Sequence, residues 1–287
     1  MSTLIEPPTR EPLADVRSLE LEITGKCQLA CVHCLSESSP QASHGDMTPE
    51  DWRTVIIDAA ALGIRTVQLI GGEPTAHPQW REFAELGLSL GLHVEVYSNL
   101  FNVNPMWWDL FMRDGVTLGT SYYSDDPGEH DRVTGRPGSY VRTRCNIREA
   151  INRGVIVRAG IVDILPGQRV VEARAELESM GVTLINTDRA RAVGRAALPG
   201  QSPTLDEMCG RCTRGRAAVL PNGDLAGCVL SRDFPAGNVR KTRLADLLGG
   251  PGWAQLSASV PAPRVACTPN DSGDCDPAST EACDPAY

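Results

Sequence analysis

Cys27, Cys31 and Cys34 fall in one short stretch, Gly25-Lys26-Cys27-Gln28-Leu29-Ala30-Cys31-Val32-His33-Cys34. Three thiolates on a tight loop can hold three irons of a [4Fe–4S] cube and leave the fourth iron open to a small molecule. Loop cysteines also suit part of a zinc site, and the spacing by itself leaves both chemistries open. A second set follows far along the chain: Cys209, Cys212 and Cys228, then Cys267, Cys275 and Cys283. Nine of the ten cysteines belong to these two sets, and only Cys145 stands apart, in a helix-like run over 140–153 that would pack it. A disulfide framework is the usual reason for many cysteines, but it belongs to small secreted domains. The grouping therefore points to metal ligation at two places.

The elements that must position these residues can be read from periodicity. Strand patterns occur at 19–24, 66–70, 93–98, 117–122, 156–162 and 182–186, with helical segments between them. The clearest helix covers 48–62. Thr48 caps it, Pro49 fits the first turn, Glu50 and Asp51 suit the positive dipole end, and Gly63 ends it. Trp52, Val55, Ile56 and Ala59 form its apolar face. Repeated strand–helix units imply parallel strands with right-handed crossovers, in a barrel or an open sheet. The first three cysteines directly follow the first strand, and Gly71-Gly72-Glu73-Pro74 directly follows the second.

Size and charge narrow the function classes. A chain of 287 residues suits one large α/β domain with an appendage. No apolar run is long enough to cross a bilayer, and residues 1–10 lack a signal-peptide pattern, so a cytoplasmic location without membrane partners is expected. A net charge of −9 argues against nucleic acid as a partner.

The C-x3-C-x2-C spacing followed by Gly71-Gly72-Glu73-Pro74 resembles the signature of the radical S-adenosylmethionine (SAM) enzymes. The resemblance implies a partial (β/α)6 TIM-like barrel over 19–187 with the active site at the C-terminal ends of the strands. It implies that Cys27, Cys31 and Cys34 ligate a [4Fe–4S] cluster. Gly71, Gly72, Glu73 and Pro74 would then bind the SAM amino group, the glycines admitting the backbone and the Glu73 carboxylate facing the ammonium. His33 takes the place of a commonly aromatic residue near adenine. Ser98, Asn99 and Ser121 match polar contacts to SAM. Arg158 would pair with the SAM carboxylate, and Ile161 and Val162 would line adenine. Tyr122, Tyr123, Asp125 and His130 after the fourth strand, and Arg189, Arg191 and Arg195 after the sixth, are substrate candidates.

The later cysteines resemble the start of a SPASM or twitch domain, a small Cys-rich unit that holds auxiliary clusters in this superfamily. Residues 1–18 are then an extension, 188–208 a bridge, and 209–287 the auxiliary unit. Pro221-Asn222-Gly223 between apolar runs predicts a hairpin that returns Cys228 toward Cys209 and Cys212. Cys267 completes one four-cysteine set, and Cys275 and Cys283 are further ligand candidates. Two [4Fe–4S] clusters are expected, and three if the tail binds another.

The resemblance implies a radical SAM enzyme acting on a ribosomally synthesised peptide by cross-linking, thioether formation or epimerisation. A flavodoxin- or ferredoxin-type reductant is expected. Only about 18 residues precede the first strand, fewer than a leader-binding domain needs, so either a separate leader-binding protein or leader-independent binding is expected. The alternatives are a small-molecule radical SAM oxidoreductase and a non-catalytic iron–sulfur electron carrier. The Gly71–Pro74 motif argues against the carrier, which has no need of a SAM site.

Overall fold

The computed structural model describes residues 16–262. In chain order the elements are β1 (Val16–Glu22), α1 (Pro49–Ala61), β2 (Thr66–Ile70), α2 (Trp80–Ser89), β3 (His93–Tyr97), α3 (Trp108–Phe111), β4 (Val116–Tyr122), α4 (Pro127–Thr134), α5 (Ser139–Asn152), β5 (Val157–Asp163), α6 (Val170–Ser179) and β6 (Leu184–Arg189). There follow β7 (Gly215–Val219), β8 (Asp224–Ala226), β9 (Gly237–Asn238), α7 (Leu244–Leu248) and α8 (Pro251–Ser259). The sheet order is β6-β5-β4-β3-β2-β1-β7-β8-β9. Strands β1 to β6 pair in parallel with their sequence neighbours, as strand–helix alternation requires. This is the α/β partial barrel expected from the sequence, open because among the described residues β6 does not return to β1.

Helix α1 is built as its sequence predicts. Thr48 and Asp51 form a reciprocal capping box, and Trp52, Val55, Ile56 and Ala59 are buried. The Leu-Glu alternation of β1 has a different meaning from a half-solvated strand. Leu19 and Leu21 enter the helix-covered core, while Glu20 and Glu22 on the other face are also buried, inside the barrel.

The C-terminal region departs from the expected separate unit. Strand β7 pairs in parallel with β1, so residues 215–219 extend the barrel sheet itself. Ala217, Val219, Leu225, Leu244, Leu248 and Trp253 share the main hydrophobic core. The hairpin at Asn222-Gly223 forms as predicted, joining β7 to antiparallel β8, with Gly223 at φ +88°. A smaller apolar cluster gathers Val193, Met208, Cys212, Cys228, Leu256 and Val260. The expected bridge contributes the end of β6 and two short 3-10 turns, 194–196 and 205–207. Cys145 is exposed on α5 rather than packed. Cys267, Cys275 and Cys283 lie outside the described residues, as does most of the expected N-terminal extension. No helix among the described residues is long and apolar enough to cross a membrane.

Candidate active site

The chain between β1 and α1 carries Cys27, Cys31 and Cys34, and three other segments hold it in shape. The first is the turn after β2. Gly72 N–H donates to Thr24 O and Glu73 N–H to Lys26 O, both at 2.8 Å. A Cβ on Gly71 would meet Thr24 O at 2.5 Å, and one on Gly72 would meet Lys26 O at 2.4 Å. The two glycines are thus needed for backbone-to-backbone approach beside Cys27. The second segment is the end of α4, where Thr134 O and Val133 O accept from Ala30 N–H and Val32 N–H. Gly135, at φ +67°, closes that helix with its Cα side against Ala30 O. The third is Gly194-Arg195. Arg195 Nε donates to Cys31 O at 2.7 Å and Nη2 to Ser38 O at 3.0 Å, while its backbone N–H donates to Cys34 O.

The three thiols line a cavity of about 150 Å³ together with His33, Gly71, Gly72, Tyr97, Asn99, Ser121, Tyr123, His130 and Arg195. A larger space of about 280 Å³ lies beside it, lined by Glu20, Arg158, Val162, Arg189, Arg191, Arg216, Cys209 and Cys228 among others. His33, Tyr97 and Ser121 border both. The ring of Tyr97 lies across β4 and β5 in space left by two glycines. A Cβ on Gly119 would meet its ring at 2.5 Å, and one on Gly160 would meet its hydroxyl at 2.9 Å. The Tyr97 hydroxyl is 3.2 Å from Ser121 Oγ, and Tyr123 borders the same cavity beside Ser121 and Cys31.

Burial and the neighbouring Glu73 carboxylate push the Cys27 thiol well above its ordinary range. Burial, then the charge of Cys34, pushes Cys31 up to about 12. Asn99 Nδ2 lies 3.5 Å from Cys27 Sγ and the Leu29 N–H 3.4 Å from it, so this sulfur has two donors ready for a thiolate. Metal binding requires the thiolates and releases their protons. Among the described residues no three His, Cys, Asp or Glu side chains converge on a point that could hold a single metal ion. Three soft thiolate donors on one loop are the ligand type that an iron–sulfur cluster takes.

Several expected contacts take different roles. The Glu73 carboxylate turns inward instead of facing the cavity. Its Oε1 accepts from Thr75 N–H and hydroxyl and its Oε2 from Asn99 N–H, so it braces Asn99. Ser98 is buried, with Oγ accepting from Leu100 N–H, and neither it nor Pro74 lines the cavity. Arg158 is bound to Glu95 through Nε at 3.0 Å and Nη2 at 2.5 Å, and it borders the larger cavity with Val162. Ile161 belongs to the hydrophobic core. Tyr122 points away from the cavities, donating to Glu176 at 2.5 Å, because strand alternation puts it on the helix side when Ser121 faces inward. Asp125 pairs with Arg169 at the surface. Tyr123 and Arg191 do border the cavities, although Arg191 is held by Asp188 and Glu207 O. Cys212 Sγ and Cys228 Sγ are 3.0 Å apart, with Cys209 close enough to influence Cys212 electrostatically. The hairpin thus returns Cys228 to its partner.

The clamps by Arg195 and the end of α4, the Tyr97 floor and the inward pair Glu20 and Glu22 were not anticipated. Glycines paired with bulky residues on neighbouring strands are the only signal in the sequence for the floor.

The sequence model of the Radical SAM superfamily matches residues 21–178, more than half of the chain, and the protein belongs to this superfamily. It is similar to the AdoMet-dependent heme synthase of Methanosarcina barkeri (strain Fusaro / DSM 804), at 31% identity over 132 residues, 46% of this chain and 38% of that protein. It is also similar to the PqqA peptide cyclase of Ruegeria pomeroyi, at 27% identity over 209 residues, 70% of this chain and 50% of that protein. These matches span half or less of the curated relatives' lengths. Among solved structures, SuiB of Streptococcus suis bound to precursor peptide SuiA superposes with a TM-score of 0.70 at 14% identity, over 85% of this chain and 67% of SuiB. That likeness shows the fold. Membership implies a [4Fe–4S] cluster and SAM as cofactors.

Proposed function

We propose that this chain removes hydrogen from a ribosomally synthesised peptide, leading to a cross-link, a thioether or an inverted α-carbon. The observation that carries the reading is the pair of adjoining cavities. One gathers the thiols of Cys27, Cys31 and Cys34 with Gly71 and Gly72, and the other extends from it to Cys209 and Cys228. When bound, the cluster and SAM would supply the radical chemistry that hydrogen removal needs. Cys27, Cys31 and Cys34 hold the cluster, with Asn99 and the Leu29 N–H supporting the Cys27 sulfur. The turn at Gly71-Gly72 and the inward-facing Ser121 border the SAM side, and His33 and Tyr97 border the passage to the peptide. Confining the reacting groups in adjoining cavities orients them and limits water.

Cys209, Cys212 and Cys228 hold an auxiliary cluster in this reading, with Cys267 as fourth ligand. Val260 packs in the same apolar cluster as Cys212 and Cys228, and Arg214 donates to Pro261 O at 2.8 Å. From Pro261 to Cys267 an extended chain reaches about 20 Å, ample for the purpose. Similarity to a PqqA peptide cyclase and superposition on a peptide-bound SuiB support a peptide substrate. A flavodoxin- or ferredoxin-type protein is the proposed electron source, and a separate leader-binding protein the proposed carrier of the peptide.

The test is anaerobic co-expression with short peptides encoded beside the gene, followed by mass spectrometry. A Cys27-dependent loss of about two mass units is expected for hydrogen removal with bond formation, and a gain of about one in deuterated water for epimerisation. No change in any peptide would overturn the peptide reading. In parallel, joint Cys27→Ala, Cys31→Ala and Cys34→Ala should abolish 5′-deoxyadenosine formation from SAM and dithionite but retain iron at the second site.

A further inference from the structure

Strand β1 turns two carboxylates into the barrel, and both are tied to the chain that follows Cys228. Glu20 Oε2 accepts the Val229 N–H at 2.8 Å, and its Oε1 lies 3.7 Å from the Arg216 guanidinium on β7. Glu22 accepts two hydrogen bonds from Arg232, at 2.8 and 3.3 Å. Between these anchors the turn is closed on itself. Cys228 N–H donates to Ser231 Oγ, and Ser231 N–H and Oγ donate to Cys228 O. Glu20, Arg216, Cys228 and Val229 all border the larger cavity. Burying a carboxylate is expensive unless it is paired and hydrogen-bonded, so two such groups aimed at one five-residue turn constitute a built device.

We propose that Glu20 and Arg216 are positioning residues that set the reduction potential of an iron–sulfur cluster at Cys209, Cys212 and Cys228, Glu20 lowering it and Arg216 raising it. The inference rests on the reading of those cysteines as auxiliary ligands. Reduction adds an electron, so a fixed negative charge beside the cluster opposes it and a positive charge favours it, most strongly in a poorly solvated interior. Glu20 has a second effect of the same sign. It engages the N–H that follows Cys228, and a donor held by a carboxylate is not offered to the cysteine sulfur, where hydrogen bonding would raise the potential. Because β1 runs directly into the Cys27 loop, the same carboxylate also fixes the second thiol site relative to the first.

The experiment uses the full chain carrying Cys27→Ala, Cys31→Ala and Cys34→Ala, reconstituted anaerobically with iron and sulfide, so that only the second set of cysteines contributes a signal. Redox titration followed by electron paramagnetic resonance should give a more positive midpoint for Glu20→Gln, a more negative one for Arg216→Gln, and the parent value for Arg216→Lys. Unchanged midpoints, or shifts of both Gln variants in one direction, would overturn the inference, since loosened geometry alone predicts no opposition of sign. Should Glu20→Gln lose its cluster, the two Arg216 variants decide by themselves: a negative shift in Gln restored by Lys supports the assignment, and no shift refutes it. If the parent itself binds no iron and sulfide, the auxiliary-site reading fails, and the inference with it.

Discussion

Arg195 Nε donates to the carbonyl of Cys31 across 164 positions of sequence, at 2.7 Å. A guanidinium that also reaches Ser38 O closes the cysteine loop from outside, fixing the curvature on which all three thiols depend. A hydrogen bond from a charged donor contributes about 1.5–3 kcal/mol, enough to change the loop's population of binding geometries. Arg195→Ala is therefore expected to lose iron from the first site and to slow 5′-deoxyadenosine formation at least tenfold, with iron at the proposed second site retained. Arg195→Lys should recover only part, because a single ammonium cannot span two carbonyls in the fork geometry. Iron and sulfide counts with SAM-cleavage rates check this, and full cleavage by Arg195→Ala would contradict it.

The inward turn of Glu73 separates two roles that the sequence could not distinguish. A carboxylate contacting the SAM ammonium would affect SAM binding and little else. As a brace, it holds Asn99 N–H and Thr75, and Asn99 in turn faces Cys27 Sγ. Removing a buried acceptor leaves its donors unsatisfied, at about 1–3 kcal/mol. Glu73→Ala should thus lower the stability of the cluster-free chain by that order in urea unfolding, as well as weakening SAM binding. Loss of SAM affinity with unchanged stability would restore the direct-contact role.

The floor made by Tyr97 gives a third test. A methyl on Gly119 would collide with the aromatic ring, and one on Gly160 with the hydroxyl. Overpacking of this kind costs about 1–3 kcal/mol. Gly119→Ala is expected to destabilise the protein by that amount and to uncouple SAM cleavage from the peptide modification proposed above. Adding Tyr97→Ala should relieve the clash, so that the double variant is more stable than the two losses predict by addition. Strict additivity in a double-mutant cycle would show that the ring does not occupy the position described.

Local signals made much of this protein legible. The strand at Thr66–Ile70 matches its predicted bounds, because a dense apolar run with a clear stop specifies it. The cysteine loop and the Gly71–Pro74 turn could be located because each directly follows a strand. What could not be read was partnership across the sheet. Nothing near residue 215 announces that β7 will lie beside β1, since parallel pairing over almost 200 residues leaves no local trace. Alternation was ambiguous for the same reason. Glu20 and Glu22 look solvated until β7 and the turn after Cys228 supply Arg216 and Arg232. Tyr122 and Tyr123 were equivalent as neighbours in sequence, and only strand geometry sends one to the helices and the other to the cavity.

His130 supplies a pH dependence with a definite sign. Its ring is buried among Tyr122, Tyr123 and Tyr140, with Nδ1 3.1 Å from Ser139 Oγ and Nε2 without a partner among the described residues. Burial lowers its pKa from about 6.5 to about 4. The unfolded chain therefore binds a proton near pH 6.5 that the folded chain refuses until near pH 4. The contribution to stability is present in full above the unfolded value and is lost as pH falls from about 6.5 toward 4. In the cluster-free protein, the stability gap between wild type and His130→Asn should narrow between pH 7.5 and 4.5 by about 2 kcal/mol, because only the wild type pays this protonation penalty. Urea unfolding at the two pH values measures the gap directly. A gap that stays constant would mean that the buried ring accepts its proton as readily as a solvated one, which the unpartnered Nε2 and the three surrounding tyrosine rings do not permit.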